Sequence, residues 1–221
     1  MILMKSVMDG IYRFGKDFAT LSMVPRTKVY DEKTINKGKD EYRIWDPKKS
    51  KLGAALRMGL KETGIFEGAK VLYLGIASGT TASHISDIVG PSGVIYGVEF
   101  SARSIRDLLP VSKKRKNIMP VLVDARLPQS FAPRIENVHI LYQDIAQKDQ
   151  SEIFIRNAEV FLKKGGIAMI AIKARSIDVT ENPKKIFAQE KQKLSKRFNI
   201  IQQVYLGHFE KDHAFFLCRL K

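Results

Sequence analysis

The stretch VLYLGIASGTT, residues 71–81, constrains the fold of this chain more than any other. The apolar run VLYL gives way at once to glycine, alanine, serine and threonine. A run without polar alternation marks a strand buried on both faces, and such strands belong to parallel sheets covered by helices. The pattern repeats along the chain. Strands are expected at about 70–75, 94–98, 119–123, 138–142 and 167–172, with helices between them. One helix runs from about 80 to Gly90 and another over about 102–109. Asp149 with Glu152 reads as a capping-box variant opening a helix over 150–163. Asn182 followed by Pro183 suits the cap and first turn of a helix over 183–197. At the end, NIIQQVYLGHF and HAFFLCRL are separated only by EKD, too little chain for a crossover, so they must pair antiparallel.

Residues 1 to about 46 read differently. SVMDGIYRF carries Asp9-Gly10 between apolar runs, a hairpin signal. ATLSMV, TKVYDEK and EYRIW, the last preceded by Lys37-Gly38, add further short β-like runs. A unit this small is marginal alone and must pack on something larger, with Trp45 as the expected contact. From Lys51, KLGAALRMGLKETG has helical spacing at Leu52, Ala55, Leu56, Gly59 and Leu60, and Gly64 can end it. The expected division is a small antiparallel β domain over 1–50 and an α/β domain over 51–221. Five parallel strands closed by an antiparallel pair make the latter a Rossmann-like sheet of the class I S-adenosylmethionine-dependent methyltransferase type.

The chain has 38 Lys and Arg against 23 Asp and Glu, a net charge of +15. A field of that sign attracts polyanions. The basic residues fall in short clusters: Lys48, Lys49 and Lys51; Lys113 to Lys116; Lys191, Lys193, Lys196 and Arg197. This describes a folded body with a basic face rather than a disordered arm. No apolar stretch approaches the roughly 20 residues of a membrane span, and MILMKSVMDG lacks a leader's apolar core. A cytoplasmic protein without a membrane partner is expected. Cys218 is the one cysteine, so an intrachain disulfide and a cysteine metal cage are excluded.

The glycine turn narrows the ligand. A dinucleotide fingerprint requires G-x-G-x-x-G, but counting from Gly75 the second and third glycine positions hold Ala77 and Thr80. The P-loop Lys-Ser/Thr is missing too, because Gly79 is followed by Thr80 and Thr81. The turn bends as a nucleotide loop does without being built for phosphates. S-adenosylmethionine, an adenosine and an amino acid without phosphate, fits that description. Glu99 at the end of VIYGVEF would bind ribose hydroxyls, and Asp124 at the end of PVLVDAR could accept from the adenine amino group.

Ligands of open α/β sheets sit at the carboxyl ends of the strands. Asp144 ends the fourth strand, Lys173 ends the fifth, His213 begins the antiparallel last strand at the same edge, and Lys51 opens the first helix on that side. This group suits attack by a ribose 2′-hydroxyl, which must lose a proton as it meets the sulfonium methyl. Lys173 could take that proton, with Lys51 lowering its pKa and Asp144 raising it; Asp144 would orient the ammonium and complement the sulfonium. A water is the other acceptor left open. His213 would hold the nucleotide or support the network. No metal is required, because the donor's methyl is already activated. His84, His139 and His208 read as structural, and Cys218 as core.

SKLGAAL, VLYLGIASGTTASHISDIVGPSGVIYGVEFS, ARL, DIAQKDQ, IKARSID and EKDHAFF stand in the order found in fibrillarins, and the chain resembles that family over nearly its whole length. The lack of a glycine–arginine-rich extension makes it similar to the archaeal members. The resemblance implies a 2′-O-methyltransferase for ribosomal and transfer RNA. It implies partners as well: a box C/D guide RNA, a Nop-family scaffold protein and a kink-turn-binding ribosomal-type protein. It implies a Lys-Asp-Lys-His tetrad on Lys51, Asp144, Lys173 and His213. The methyl donor would lie against Gly75, Ala77, Gly79, Thr80, Thr81, Glu99, Phe100, Asp124, Ala125, Asp144, Ile145, Ala146 and Gln147. The sequence departs from the family pattern at Tyr142-Gln143, before DIAQ; Gln143 should alternate away from the ligand and matter little.

Guide pairing would choose the target, which explains the lack of an aromatic RNA-reading motif or a G-x-x-G clamp. Two other readings remain: a stand-alone ribose methyltransferase, which shares the tetrad, and a non-catalytic RNA-binding subunit, which has no need of it. The missing glycines argue against a nicotinamide dehydrogenase.

Overall fold

The computed structural model describes residues 4–221. Strands β1 (Met4–Met8), β2 (Ile11–Phe14), β3 (Asp17–Leu21), β4 (Thr34–Lys37) and β5 (Asp40–Ile44) form an antiparallel sheet in the order β1-β2-β3-β5-β4. Asp9-Gly10 makes the first hairpin turn, as its sequence requires. The chain continues through α1 (Lys51–Arg57), β6 (Lys70–Leu74), α2 (Thr80–Val89), β7 (Val94–Glu99), α3 (Ala102–Lys114) and β8 (Ile118–Leu122). It then forms β9 (Val138–Gln143), α4 (Gln150–Phe161), β10 (Leu162–Lys173), α5 (Ala174–Ile177), α6 (Pro183–Ser195), β11 (Phe198–Tyr205) and β12 (His213–Leu220). These strands make a second sheet in the order β11-β12-β10-β9-β6-β7-β8. The pairs from β10 to β8 are parallel, and β12 is antiparallel to both its neighbours.

The parallel sheet is buried on both faces, which explains its unbroken apolar strands. Val71 and Tyr73 enter a core with Leu52, Ile85 and Val89. Leu72 and Leu74 enter the opposite core with Ile153, Phe154 and Phe198. Cys218 lies buried in β12 as expected. Among the described residues, no helix is long and apolar enough to cross a membrane.

Several local expectations fail for physical reasons. TKVYDEK forms no strand. Its backbone turns around Glu32, whose carboxylate accepts from the amides of Val29 and Tyr30 and from Arg43. Helix α1 stops at Arg57, well before Gly64; Leu60 is buried from the coil after it, so apolar spacing outlasts the helix. Helix α3 passes 109 and runs through Pro110 to Lys114. Only Leu108 of that helix is buried, so the carbonyl freed by Pro110 can turn to water. The capping box at Asp149 does not form. The Asp149 carboxylate pairs with Arg156 and Glu152 with Lys193. Strand β10 begins five residues earlier than expected, across a register break between Leu162 and Ile167. By contrast, the Asn182 side chain caps α6 by accepting from the Lys184 amide, with Pro183 in the first turn.

The two sheets are joined by a buried polar cluster. Asp87 of α2 pairs with Arg43 of β5 (2.7 Å) and Arg115 (2.6 Å), and accepts from Thr20 Oγ1 and the Met23 amide. Trp45 stacks on His84 at 4.7 Å between ring centres. The Thr20 hydroxyl gives its proton to Asp87, so at 2.8 Å from His84 Nδ1 it can only accept; the ring is therefore protonated at Nδ1 and takes the Tyr30 hydroxyl proton at Nε2 (2.6 Å). Burial, reinforced by Arg43 and Arg115, holds His84 well below its ordinary 6.5 and therefore neutral. His84 is structural, as its sequence context suggests.

Candidate active site

The chain leaves β6 for β7 and β8 on one side, then returns to β9 on the other side of β6. The crevice at such a reversal is where open α/β sheets bind ligands. The loops after β6 and β9 meet there closely. Gly75 has φ +78°, and a Cβ on it would lie 2.5 Å from the Asp144 carbonyl oxygen, so only glycine permits the approach. Ala77 follows at φ +50°, uncommon for a residue with a side chain, and its amide donates to Glu99 Oε2 (3.1 Å).

Glu99 ends β7 and is buried. Its other oxygen accepts from the amides of Phe100 and Ser101, both at 3.0 Å. Backbone donors thus fix a carboxylate in the wall of a cavity of about 300 Å³. Phe100, largely exposed, also lines it, together with Asp124, Ala125, Arg126, Ile145, Ala146 and Gln147. Arg126 holds Asp124 through its guanidinium and, with its amide, keeps that carboxyl below the usual range and charged.

A second cavity, about 440 Å³, shares Gly75, Ala77, Asp144, Ile145 and Ala146 with the first. Lys51, Lys173 and His213 line it together with Asp144, so the four side chains do converge. Lys51 Nζ lies 2.9 Å from both Asp144 oxygens. The ammonium that Asp144 orients is therefore that of Lys51, and Lys173 stands exposed beside the pair. Lys173 faces His213 across the β10–β12 ladder. His213 is 2.8 Å from the Lys211 carbonyl through Nδ1, which must carry the proton; Nε2 is left as the acceptor. Burial lowers the pKa of His213, and Lys51 adds to this against the opposing Lys211 carbonyl, Glu210 and Asp144. The ring is neutral near pH 7.

These features can be set beside known proteins. The sequence model of the fibrillarin family matches residues 2–221. The chain belongs to the fibrillarin family. A fibrillarin-like rRNA/tRNA 2′-O-methyltransferase of Pyrococcus horikoshii is 50% identical over 220 residues, covering 97% of each chain. The Methanococcus jannaschii fibrillarin pre-rRNA processing protein superposes with a TM-score of 0.96 at 47% identity, covering 100% of this chain and 98% of that one. Aeropyrum pernix fibrillarin, solved with natively bound S-adenosylmethionine, gives 0.87 at 45% identity, covering 99% and 100%. A fibrillarin solved in complex with Nop5p gives 0.89 at 39% identity, covering 98% and 100%.

Within this family frame, several sequence-derived expectations are met less simply than they were drawn. Gly79 packs against Leu108 and lines neither cavity. Thr81 is buried at the second cavity, where its hydroxyl donates to Ser50 Oγ (2.8 Å); Thr80 lies half-exposed beside it. Gln143 is fully buried and donates to the Gln150 carbonyl (2.7 Å), so it braces the loop that follows rather than standing idle. Sequence reasoning missed Tyr73 and Arg126, which line the second and first cavities respectively. Tyr73 is hidden inside the apolar run that identifies β6, and Arg126 two residues past a carboxylate looks like any surface charge. Ser50 was also missed, although it caps α1 at Gly53 and accepts from Trp45 and Thr81. The basic clusters divide. Lys48 and Lys49 are exposed, Lys49 in the wall of the second cavity, whereas Arg115 is buried against Asp87, and Lys193 and Arg197 pair with glutamates.

Proposed function

We propose that this chain transfers the methyl group of S-adenosylmethionine to ribose 2′-hydroxyls of ribosomal and transfer RNA, at positions selected by a box C/D guide RNA. The observation that carries the reading is the shared wall: the loop from Asp144 to Ala146 borders both the Glu99 cavity and the Lys–Asp–Lys–His cavity. A donor in one cavity and an acceptor in the other would meet across that loop. Family membership and the activity named for the Pyrococcus horikoshii relative support it.

The residues of the first cavity suit the donor. Glu99 offers an anchored carboxylate to ribose hydroxyls, Asp124 an acceptor for an exocyclic amino group, and Phe100 an apolar edge. The loops at Gly75–Ala77 and Asp144–Gln147 lie close without phosphate-binding glycines, as a donor lacking phosphate requires. When bound, S-adenosylmethionine supplies a methyl group on a positively charged sulfur. Asp144 complements positive charge while fixing Lys51. Lys173, in its free-amine form, accepts the 2′-hydroxyl proton, directly or through a water, and becomes the ammonium, while His213 offers Nε2 to the ribose or to that water. Alignment of the acceptor supplies much of the acceleration.

Exposed Lys49 in the wall of the second cavity, with exposed Lys48 before it in the chain, suits a phosphate backbone, and RNA binding should weaken with salt. A Nop-family scaffold is a partner, as in the fibrillarin/Nop5p complex. The guide RNA and a kink-turn-binding ribosomal-type protein complete the assembly we propose.

The test is methyl transfer from labelled S-adenosylmethionine to an RNA paired with a box C/D guide. The chain is assayed alone, with both protein partners, and as Lys173→Ala. Label on one guide-selected ribose, in the full assembly and not in the mutant, is the expected result. Label from the chain alone would indicate a stand-alone enzyme. No label in the full assembly, with the cofactor bound, would leave a binding subunit.

A further inference from the structure

Gln150, the first residue of α4, is fully buried at the carboxyl edge of the parallel sheet. Its side-chain amide makes three hydrogen bonds. Nε2 donates to the Gln147 carbonyl (2.9 Å) and to the Lys173 carbonyl (3.2 Å), while Oε1 accepts from the Lys173 amide (3.1 Å). An amide has two donor hydrogens, one for each carbonyl, so its donor capacity is filled.

The position explains why an amide is needed. Strand β10 pairs with β9 only as far as Ile170 opposite Gln143, yet continues to Lys173 against β12. On the β9 side the main chain of Lys173 has therefore run out of strand. The primary amide of Gln150 presents the same donor and acceptor groups as a peptide and takes the place of the missing ladder residue. The N–H and C=O of a strand residue project toward the same edge. Because those of Lys173 are engaged by Gln150, its pairing with His213 is of the non-hydrogen-bonded kind, in which side chains stand closer.

The same side chain grips the other half of the site. Gln147 closes the loop that begins at Asp144, and the Gln150 carbonyl accepts from Gln143, the residue before Asp144. The Asp144 loop and the Lys173 strand end are consequently tied through one buried, uncharged group. We infer that Gln150 is a positioning residue for methyl transfer, holding the backbone of Lys173 in register with the Asp144–Gln147 loop. The inference rests on the methyltransferase reading above. Gln150 touches neither reactant in this role; it fixes where the Lys173 side chain begins.

Gln150→Met keeps length and volume and removes all three hydrogen bonds. Gln150→Glu keeps the acceptor and removes both donations. Each is assayed in the assembled guide particle, with kcat expressed per cofactor-binding site so that unfolded chain is not counted. Both should lower kcat roughly 10- to 100-fold, as a displacement of about 1 Å can, and leave the KM for RNA unchanged. Amide hydrogen exchange in the full-length wild-type chain should find Lys173 protected although no strand covers that side, and the protection should be lost in either folded variant. A purely packing role would lower thermal stability while kcat per site stayed at the wild-type value. That result, or rapid exchange at Lys173 in the wild type, would overturn the inference. Absence of transfer by the wild-type assembly would instead remove the functional reading itself, which the ratio of variant to wild-type rates cannot do.

Discussion

Two clusters in this molecule have nearly the same parts and opposite uses. At the junction of the two sheets, Asp87 and Glu32 meet Arg43, Arg115 and His84. At the edge of the parallel sheet, Asp144 meets Lys51, Lys173 and His213. In the first, the acidic groups are buried and matched from several sides: Asp87 alone accepts from two guanidiniums, a hydroxyl and an amide. In the second, Asp144 and Lys51 are about one-fifth exposed, Lys173 stands in solvent, and His213 Nε2 is left as an acceptor. A cluster whose carboxylates are saturated stores its electrostatics in the fold, even though Arg115 keeps two buried N–H groups without a partner. One with spare donors and acceptors beside a cavity can spend them on a ligand.

Exchanging the loss between the two clusters gives the largest effects. Asp87→Ala leaves Arg43 and Arg115 buried without their shared partner and should cost about 3–5 kcal/mol in urea unfolding. Asp144→Ala frees a lysine that still reaches solvent and should cost less than about 1 kcal/mol. It should nonetheless lower guided methyl transfer by about 100-fold or more. Equal destabilisation by both, or an active Asp144 variant, would break the comparison.

Glu99 tests whether a carboxylate saturated by backbone donors can still serve a ligand. Glu99→Gln removes the charge at constant size, and the dissociation constant for S-adenosylmethionine should rise roughly 10- to 100-fold in calorimetry. An unchanged constant would make the Glu99 ring of donors a structural device like that around Asp87.

Acid should expose the difference between the histidines. His84 and His213 both lie below the ordinary 6.5, so below that pH the unfolded chain binds protons that the native chain refuses. Stability should be full above about pH 6.5 and fall as pH drops, by up to about 1.4 kcal/mol per pH unit for each proton. Glu32 is held below its ordinary 4.5 and titrates beneath this window. Urea unfolding at pH 7.5 and 5.5 should give a smaller pH difference for His84→Phe than for the wild type. An unchanged difference would mean that the buried ring does not carry the effect.

The smallest expected change in activity is at Ser50, whose hydroxyl caps α1 just before Lys51. Ser50→Ala should cost about 1 kcal/mol for the cap, and roughly 1–3 kcal/mol more because Trp45 and Thr81 lose their acceptor, yet lower methyl transfer only a few-fold. A loss as large as that of Asp144→Ala would make the cap part of the chemistry.

The sequence by itself determined the sheet, because an apolar run without alternation permits little else, and two apolar runs with no room for a crossover between them permit only antiparallel pairing. It also determined which polar residues reach the carboxyl edge: Glu99, Asp124, Asp144 and Lys173 each follow directly from where an apolar run stops. Residues whose role depends on contacts distant in sequence were not legible. Pairing Lys51 rather than Lys173 with Asp144, burying Arg115 inside a run of lysines, and turning Gln143 and Gln150 into braces were decided by the tertiary structure alone. The physical reason is range. Strand and helix periods are written in neighbours, whereas a carboxylate takes whichever cation, and an amide whichever unpaired backbone, the packed chain brings within about 3 Å.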